Sequence, residues 1–165
     1  MTRLFLTAAI VFNGFIQANA QQSVEWKHLS SKTGDIEVPN NGSEQTSAAV
    51  ADFNNDGIND FCISERQQAP SLVVYFRNDK DWTKYPVDAG KLHIEAGTTA
   101  CDVDGDGDMD IIAGGDWQNN EFWWWENPYP DFDKNTPWKR YLIRQSGGNK
   151  THDQMPTIVY LNSLK

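Results

Sequence analysis

The sequence predicts an all-β fold built from a repeated, four-stranded antiparallel sheet. The segment Ala48–Ser64 recurs as Thr98–Gly114 at a constant offset of 50 residues, with Asp, Asn and Gly at matching positions. Around these segments lie short runs rich in Val, Ile, Thr, Tyr, Phe and Trp, separated by turn residues, which is the pattern of β-strands. After residue 20 no segment shows a helical hydrophobic period. Repetition at a fixed period indicates a repeat architecture.

Each repeated unit contains four predicted strands. The first strand is small and apolar, the second follows an Asp-rich loop, and the third and fourth are aromatic. In chain order the predicted strands are Ser47–Phe53, Asp60–Ser64, Leu72–Arg77 and Trp82–Val87, then Gly97–Val103, Asp110–Ala113, Glu121–Glu126 and Trp138–Arg144. Four strands in about fifty residues is the size of one β-propeller blade.

The chain holds about two such blades, with partial units on either side. Blade one spans about residues 46–88 and blade two about residues 93–145, and a third unit starts at 150–165 without its Asp-rich loop. Trp26–Leu29 is similar to a fourth strand that precedes its own blade and completes the last blade of a ring. Rings need about four to eight blades, so we expect a truncated or fragmentary chain whose missing blades complete the ring. A ring assembled from several copies, a homo-oligomer, is the alternative.

Residues 1–20 have the pattern of a secretory signal peptide. Arg3 supplies the positive charge, Leu4–Ile16 is apolar but too short to span a bilayer, and Ala18-Asn19-Ala20 is a typical cleavage site. We therefore expect residues 21–165 to be secreted, periplasmic or at the cell surface, without membrane insertion. A buried N-terminal helix is the alternative for this segment.

The chain is strongly acidic, with 14 Lys and Arg against 23 Asp and Glu and a formal net charge of -9. This balance argues against nucleic-acid binding, because phosphate contacts need clustered cations. Cys62 and Cys101 both lie in predicted strands. Export permits a disulfide between them, but we favour two small buried hydrophobic residues.

The second Asp-rich loop has the ligand spacing of a calcium site. Positions 1, 3, 5, 7 and 9 are occupied by Asp102, Asp104, Asp106, Asp108 and Asp110. Gly107 at position 6 permits a sharp reversal, so alternate carboxylates can converge on one point. Asp108 is expected to contribute its backbone carbonyl and to turn its side chain outward. An all-oxygen cage suits Ca²⁺ better than Mg²⁺, Zn²⁺ or Cu⁺.

The first loop repeats this spacing with one charge less. Its five positions are occupied by Asp52, Asn54, Asp56, Ile58 and Asp60. Neither loop has the Glu of an EF-hand at position 12, and neither is flanked by predicted helices, which favours calcium loops inside β-hairpins. Two sites of structural Ca²⁺ are expected, because the cation offsets repulsion among clustered carboxylates. An Asp-rich turn without metal is the alternative.

At these residues the sequence resembles the FG-GAP / VCBS repeat family of integrin-like, calcium-binding β-propellers. The matching pieces are ADFNNDGINDFCIS, CDVDGDGDMDIIAGG, FWWWENP and WKRYLI, within residues 24–155. The run Trp123–Pro128 is similar to the W-x-E-N motif of the third strand, and Tyr75–Asn78 is its weaker copy. The resemblance implies a propeller of about seven blades with Ca²⁺ between the first and second strands. It also implies either a non-catalytic adhesion module or part of a carbohydrate-active enzyme.

Five residues outside the loops are weaker candidates for function. His93 and Glu95 precede a first strand, and His152 and Asp153 occupy the matching place in the third unit. They could bind a metal or transfer protons on a sugar, but a polar channel lining without chemistry is favoured, because no nucleophile motif accompanies them. Trp117 follows Gly114-Gly115-Asp116 in a loop and is the best candidate for an exposed, sugar-stacking indole.

The tryptophan run in the third strand is expected to pack between blades. Side chains alternate along a strand, so Trp123 and Trp125 should face one side and Trp124 the other. Together these features predict an exported, calcium-binding propeller that binds carbohydrate or an extracellular protein. The alternative is the N-terminal part of a polysaccharide lyase or an aldos-2-ulose dehydratase-like enzyme.

Overall fold

The computed structural model describes residues 24–79 and 81–145, and this part of the chain is all-β. It has eight strands and no helix among the described residues, which confirms the all-β part of the predicted fold class, while the propeller stays a prediction. The strands are β1 (Gln45–Ala51), β2 (Asp60–Glu65), β3 (Leu72–Arg77), β4 (Trp82–Asp88), β5 (Ile94–Cys101), β6 (Asp110–Gly115), β7 (Glu121–Glu126) and β8 (Lys139–Gln145).

The strands form two separate four-stranded sheets, one for each repeated unit. Their orders are β1-β2-β3-β4 and β5-β6-β7-β8, and every neighbouring pair is antiparallel. Both sheets have an irregular register at the start of the first strand and another between the third and fourth strands. The repetition seen in the sequence is therefore a repetition of sheet structure.

The first strands end earlier than the sequence predicts. β1 ends at Ala51 and β5 at Cys101, two residues before the expected Phe53 and Val103. The backbone amides of Phe53 and Val103 donate to the carboxylates of Asp60 and Asp110, at 3.1 and 2.9 Å. These amides are therefore used inside the Asp-rich loops and not in a strand ladder.

The two sheets pack face to face around a shared hydrophobic core. Alternate residues of each sheet point into it, as the two-residue period of a strand requires. The first sheet contributes Cys62, Leu72, Val74, Phe76 and Val87, and the second contributes Ile94, Ile111, Ala113, Trp123 and Trp125. Trp138, which directly precedes β8, packs against the same core. The side chains of Trp123 and Trp125 are thus buried between the sheets, as predicted. Trp124 faces the other way and stacks on Tyr141 with ring centroids 4.6 Å apart.

The first strands of the two sheets lie side by side. The Thr46 hydroxyl donates to the carbonyl of Ile94 at 2.6 Å. The hydroxyls of Ser47 and Thr98 share a hydrogen bond of 2.6 Å. The first strands β1 and β5 therefore form one side of the interface between the two sheets.

Part of the N-terminal segment covers the outer face of the first sheet. The Tyr75 hydroxyl donates to the carbonyl of Glu37, and the Lys84 ammonium donates to the carbonyl of Val38, both at 2.8 Å. The expectation of a strand at Trp26–Leu29 was wrong: residues 24–30 form no strand, and Trp26 is 91% exposed. A strand needs a sheet edge for its backbone hydrogen bonds, and the blade that this segment was expected to complete is not among the described residues.

The cysteines are not bonded to each other. Cys62 is buried in the core, and burial raises the pKa of its thiol to about 12. Cys101 is half-buried at the end of β5. The interpretation as buried hydrophobic residues is confirmed for Cys62 and holds in part for Cys101.

Several expectations concern residues outside the described ranges. These are the signal peptide at 1–20 and the third unit at 150–165, which includes His152 and Asp153. Within residues 24–79 and 81–145, no helix is long and apolar enough to span a membrane.

Candidate metal centre

The two Asp-rich loops have the same backbone shape. Positions 4 and 6 adopt positive φ angles in both, at Asn55 (55°) and Gly57 (85°) in the first loop and at Gly105 (85°) and Gly107 (97°) in the second. Glycine tolerates this left-handed conformation without the steric cost of a Cβ atom. The sharp reversal expected at position 6 is therefore present in both loops.

The second loop brings three carboxylates together. Ligand oxygens of Asp102, Asp104 and Asp106 all lie within 4.8 Å of one another, and the three residues are exposed. Asp102 organises the loop, since its oxygens accept the backbone amides of Gly105 at 2.7 Å and Gly107 at 3.2 Å. These N–H groups hold the acids close despite their mutual repulsion. The donor set is all oxygen, which is the chemistry that Ca²⁺ requires.

The ninth position serves a different purpose in the structure. Asp110 lies outside the triad, and its two oxygens accept the backbone amides of Val103 at 2.9 Å and Asn127 at 2.8 Å. Asp60 does the same in the first loop, with the amides of Phe53 and Arg77. Burial raises the pKa of both carboxyls, that of Asp110 to about 6. Asp60 and Asp110 each connect their loop to the end of the third strand of the same sheet. Their role as metal ligands stays a prediction.

The expected outward direction of the Asp108 side chain was wrong. Its side chain does not point outward to solvent: the residue is only 4% exposed, and its Oδ1 atom is buried without a hydrogen-bond partner among the described residues. The amide of Asp108 donates to Asp106 Oδ1 at 3.1 Å. Burial, with the nearby charges of Asp106, Asp110 and Asp104, raises the pKa of Asp108 to about 7. An unpartnered carboxylate oxygen beside the triad is a candidate for a further cation ligand.

This geometry predicts a pH-dependent effect of Asp108→Asn on the calcium-free protein. A carboxyl whose pKa is raised on folding stabilises the fold below its unfolded pKa near 3.8, and that stabilisation is lost as the pH rises towards 7. Asn is neutral at every pH. We expect the variant to be more stable than the parent by about 1–2 kcal/mol at pH 8, with the gain vanishing near pH 4. Urea denaturation in a chelator at both pH values measures it, and an equal gain at both would contradict the ionisation argument.

The first loop has a weaker set of charged oxygens. Asp52 accepts the amides of Asp56 and Gly57, at 3.1 and 2.8 Å, and the second of these matches the Gly107 amide that Asp102 accepts. Asn54 replaces the second acid, and its amide donates to Asp56 Oδ2 at 3.0 Å. That bond offsets part of the charge that a cation would otherwise neutralise. The two loops therefore have the same backbone conformation, but the first loop carries less negative charge.

Asn127 links the two loops, and sequence analysis did not assign it this role. Its side-chain amide donates to the carbonyl of Phe53 at 2.8 Å and to that of Met109 at 3.0 Å. Phe53 lies in the first loop and Met109 in the second, so one buried side chain holds both. The signal in the sequence was the Glu126-Asn127 pair of the third-strand motif.

Asn78 is not the counterpart of Asn127, which corrects the proposed alignment of Tyr75–Asn78 with the motif. Phe61 pairs with Tyr75 and Ile111 with Trp125, so the third strands match at an offset of 50 residues. At that offset Asn127 corresponds to Arg77, whose amide also donates to the Asp of its own loop. Asn78 lies in an exposed turn and bonds to Thr83 at 2.7 Å.

The weaker candidates lie at the other end of the strands. His93 and Glu95 are half-buried at the start of β5, and Trp117 is 51% exposed in the loop after β6. The backbone amide of Asp116 donates to the carbonyl of His93 at 2.6 Å, which brings the loop of Trp117 against the start of β5. The structure therefore places three separately predicted residues in one region, and that region is separate from the Asp-rich loops.

No protein-family model matches the chain. No curated protein matches it either. The resemblance to the FG-GAP / VCBS family stays a prediction, and the functional argument rests on the geometry of the chain.

Proposed function

We propose that this chain is part of an exported, calcium-binding β-propeller that acts as a binding module for carbohydrate or protein at the cell surface. The observation that carries the proposal is the triad of Asp102, Asp104 and Asp106 within a glycine-shaped loop. The buried oxygen of Asp108 beside it, which has no partner among the described residues, supports a cation in the second loop. The same backbone in the first loop supports a second, weaker site.

The sheet arrangement supports the propeller. Two consecutive four-stranded meanders pack face to face, and their first strands lie side by side, as neighbouring blades do around a channel. The Asp-rich loops of both sheets lie at one end and are joined by Asn127. Ring closure requires further blades, from a longer chain or from other copies. The resemblance to FG-GAP / VCBS repeats accords with this arrangement.

Calcium has a structural role in this proposal. A divalent cation would neutralise the carboxylates of the second loop and fix the hairpin between β5 and β6. Through Asn127 that hairpin is attached to the neighbouring sheet. A cation that binds only the folded chain stabilises it by linkage, by about 2.7 kcal/mol at a hundred times the dissociation constant.

The metal proposal is tested by calcium titration of the full chain, by calorimetry and thermal unfolding. We expect millimolar Ca²⁺ to raise the unfolding temperature by several degrees and Mg²⁺ to raise it less. Asp104→Ala should abolish most of the rise, because it removes one member of the triad. Asp81→Ala is the matched control, since it removes an exposed acid outside both loops and should retain the full response. An unchanged unfolding temperature at millimolar Ca²⁺, or a full response in Asp104→Ala, contradicts the proposal.

A further inference from the structure

A second polar cluster lies at the end of the sheets opposite the Asp-rich loops. It forms where β1 and β5 begin and where β2 and β6 end. Each sheet places an acidic and a basic residue side by side there, Glu44 with Arg66 in the first sheet and His93 with Asp116 in the second. The two pairs are equivalent, because the amide of Arg66 donates to the carbonyl of Glu44 just as the amide of Asp116 donates to that of His93. In the first sheet the acid precedes the first strand and the base follows the second strand, and in the second sheet this order is reversed.

The pair in the first sheet is fully bonded. The Arg66 guanidinium donates through Nε to Glu44 at 2.7 Å and through Nη1 to Glu95 at 2.8 Å. It therefore connects the first sheet to the start of β5. Both of its anionic partners are already engaged, so this guanidinium is not free to receive an anionic ligand.

The two side chains of the pair in the second sheet do not form a hydrogen bond, and we call this the open pair. His93 Nδ1 and Asp116 Oδ2 are 3.6 Å apart, and both atoms are buried without a hydrogen-bond partner among the described residues. The side chain of Asp116 is fully buried, and its other oxygen accepts the amide of Gln118 at 2.7 Å. His93 also has a φ angle of 55°, which costs a non-glycine residue free energy. The backbone strain at His93 and the unpaired buried atoms of His93 and Asp116 both lower stability. Together they indicate that this pair has a functional role.

Asp116 sets the orientation of the imidazole. When the two residues close to hydrogen-bond distance, Asp116 Oδ2 accepts the proton on His93 Nδ1. A ring that carries its proton on Nδ1 presents Nε2 as an acceptor, and the side chain of His93 is 25% exposed. A ligand hydroxyl can donate to that nitrogen. Asp116 thereby acts as a positioning residue, out of reach of the ligand itself.

Trp117 adds an aromatic surface to the same place. It follows Asp116 directly and is 51% exposed, whereas the equivalent position of the first sheet is Gln67. An exposed indole on the residue that follows Asp116 suits a sugar ring, which has apolar faces and polar edges. The second unit thus differs from the first at two adjoining positions, 116 and 117. Both differences favour the binding of a saccharide.

The charge of the cluster selects among saccharides. The three carboxylates of Glu44, Glu95 and Asp116 outnumber the one guanidinium and one imidazole of the cluster, so the cluster is anionic. An acidic sugar would be repelled, whereas the hydroxyls of a neutral sugar can donate to Glu95 and His93. We propose that Trp117, His93 and Glu95 form a binding site for a neutral saccharide, with the ring stacked on Trp117. This inference rests on the proposed function as a binding module, but not on the calcium loops.

The test is ligand-observed NMR and calorimetry on the full chain in millimolar Ca²⁺. The probes are neutral gluco-, manno-, galacto- and xylo-oligosaccharides, with oligogalacturonate as the acidic comparison. We expect binding of at least one neutral oligosaccharide and weaker or no binding of the acid. Trp117→Ala should weaken binding about tenfold, and Trp117→Phe less. Trp26→Ala is the matched control, because Trp26 is 91% exposed elsewhere and its loss should leave affinity unchanged.

Each outcome has a defined meaning. No neutral oligosaccharide bound, preference for the acid, or equal affinity in the parent and Trp117→Ala overturns the site. Glu95→Gln, which keeps the shape but weakens the acceptor, should reduce affinity if the site is correct. The thermal response to Ca²⁺, recorded on the same samples, separates the two proposals. Saccharide binding without calcium stabilisation refutes the metal centre alone, and calcium stabilisation without saccharide binding refutes this site alone.

Discussion

Replacement of Trp125 by alanine is expected to lower the free energy of unfolding by about 3–5 kcal/mol. Trp125 is fully buried between the two sheets, and its indole N–H donates to Asp88 Oδ2 at 3.0 Å. Truncation leaves a large cavity and removes that hydrogen bond. Because a domain has only about 5–15 kcal/mol of stability, the variant should unfold at much lower urea concentrations.

Trp124→Ala is the matched control for this prediction. Trp124 is adjacent in the chain but half-buried on the outer face, where it stacks on Tyr141. Its loss should cost about 1–2 kcal/mol, since the site faces partly into solvent. If Trp125→Ala does not fold, Trp125→Phe tests the same point at a smaller loss of volume. Equal effects at positions 124 and 125 would contradict the packing of the sheets against each other through this strand.

The Asp88 carboxylate shows why this interface depends on both sheets. It ends β4 in the first sheet and accepts hydrogen bonds from Trp125 and from Arg140 Nη1, at 3.0 and 2.6 Å, both in the second sheet. The backbone amide of Trp138 also donates to the carbonyl of Val87 at 3.1 Å. Apolar burial supplies most of the stabilisation, and these polar contacts fix how one sheet is placed on the other.

Features governed by local periodicity could be predicted from the sequence. The two-residue period of a strand correctly placed Trp123 and Trp125 on one face of β7 and Trp124 on the other, but only the structure shows which face is buried. The repeat supplied the number of strands and their antiparallel order. Glycine at position 6 supplied the reversal in each Asp-rich loop, because few other residues adopt that conformation.

Features governed by contacts between distant residues could not be predicted. The end of β1 depends on Asp60 accepting the amide of Phe53 from across the loop. The side chain of Asp108 turns inward, although its loop position alone predicted an outward direction. His93 and Trp117 come together through the pairing of β5 with β6, and spacing gives no hint of the open pair between His93 and Asp116. In each case contacts between separate parts of the chain override a local rule.

Replacement of Asn127 by alanine is expected to lower the free energy of unfolding by about 2–4 kcal/mol. Its buried amide donates to two carbonyls, one in each Asp-rich loop, and alanine removes the donor from both acceptors. Buried polar groups without hydrogen bonds are costly, so the loss of one donor is felt in both loops. Asn78→Ala is the matched control, since that amide lies in an exposed turn, and it should cost less than about 0.5 kcal/mol.

Asn127→Asp separates the hydrogen bonds from the volume of the side chain. The carboxylate has nearly the same shape, but it cannot donate to the carbonyls of Phe53 and Met109, and it adds a charge beside Asp110. It should destabilise at least as much as alanine in chelator, as measured by urea denaturation. Because Asn127 holds both loops, calorimetry should also show weaker Ca²⁺ binding in this variant than in Asn78→Ala. Parent-like calcium affinity in a folded Asn127→Asp protein would mean that the two loops bind cations independently, and that Asn127 acts on stability alone.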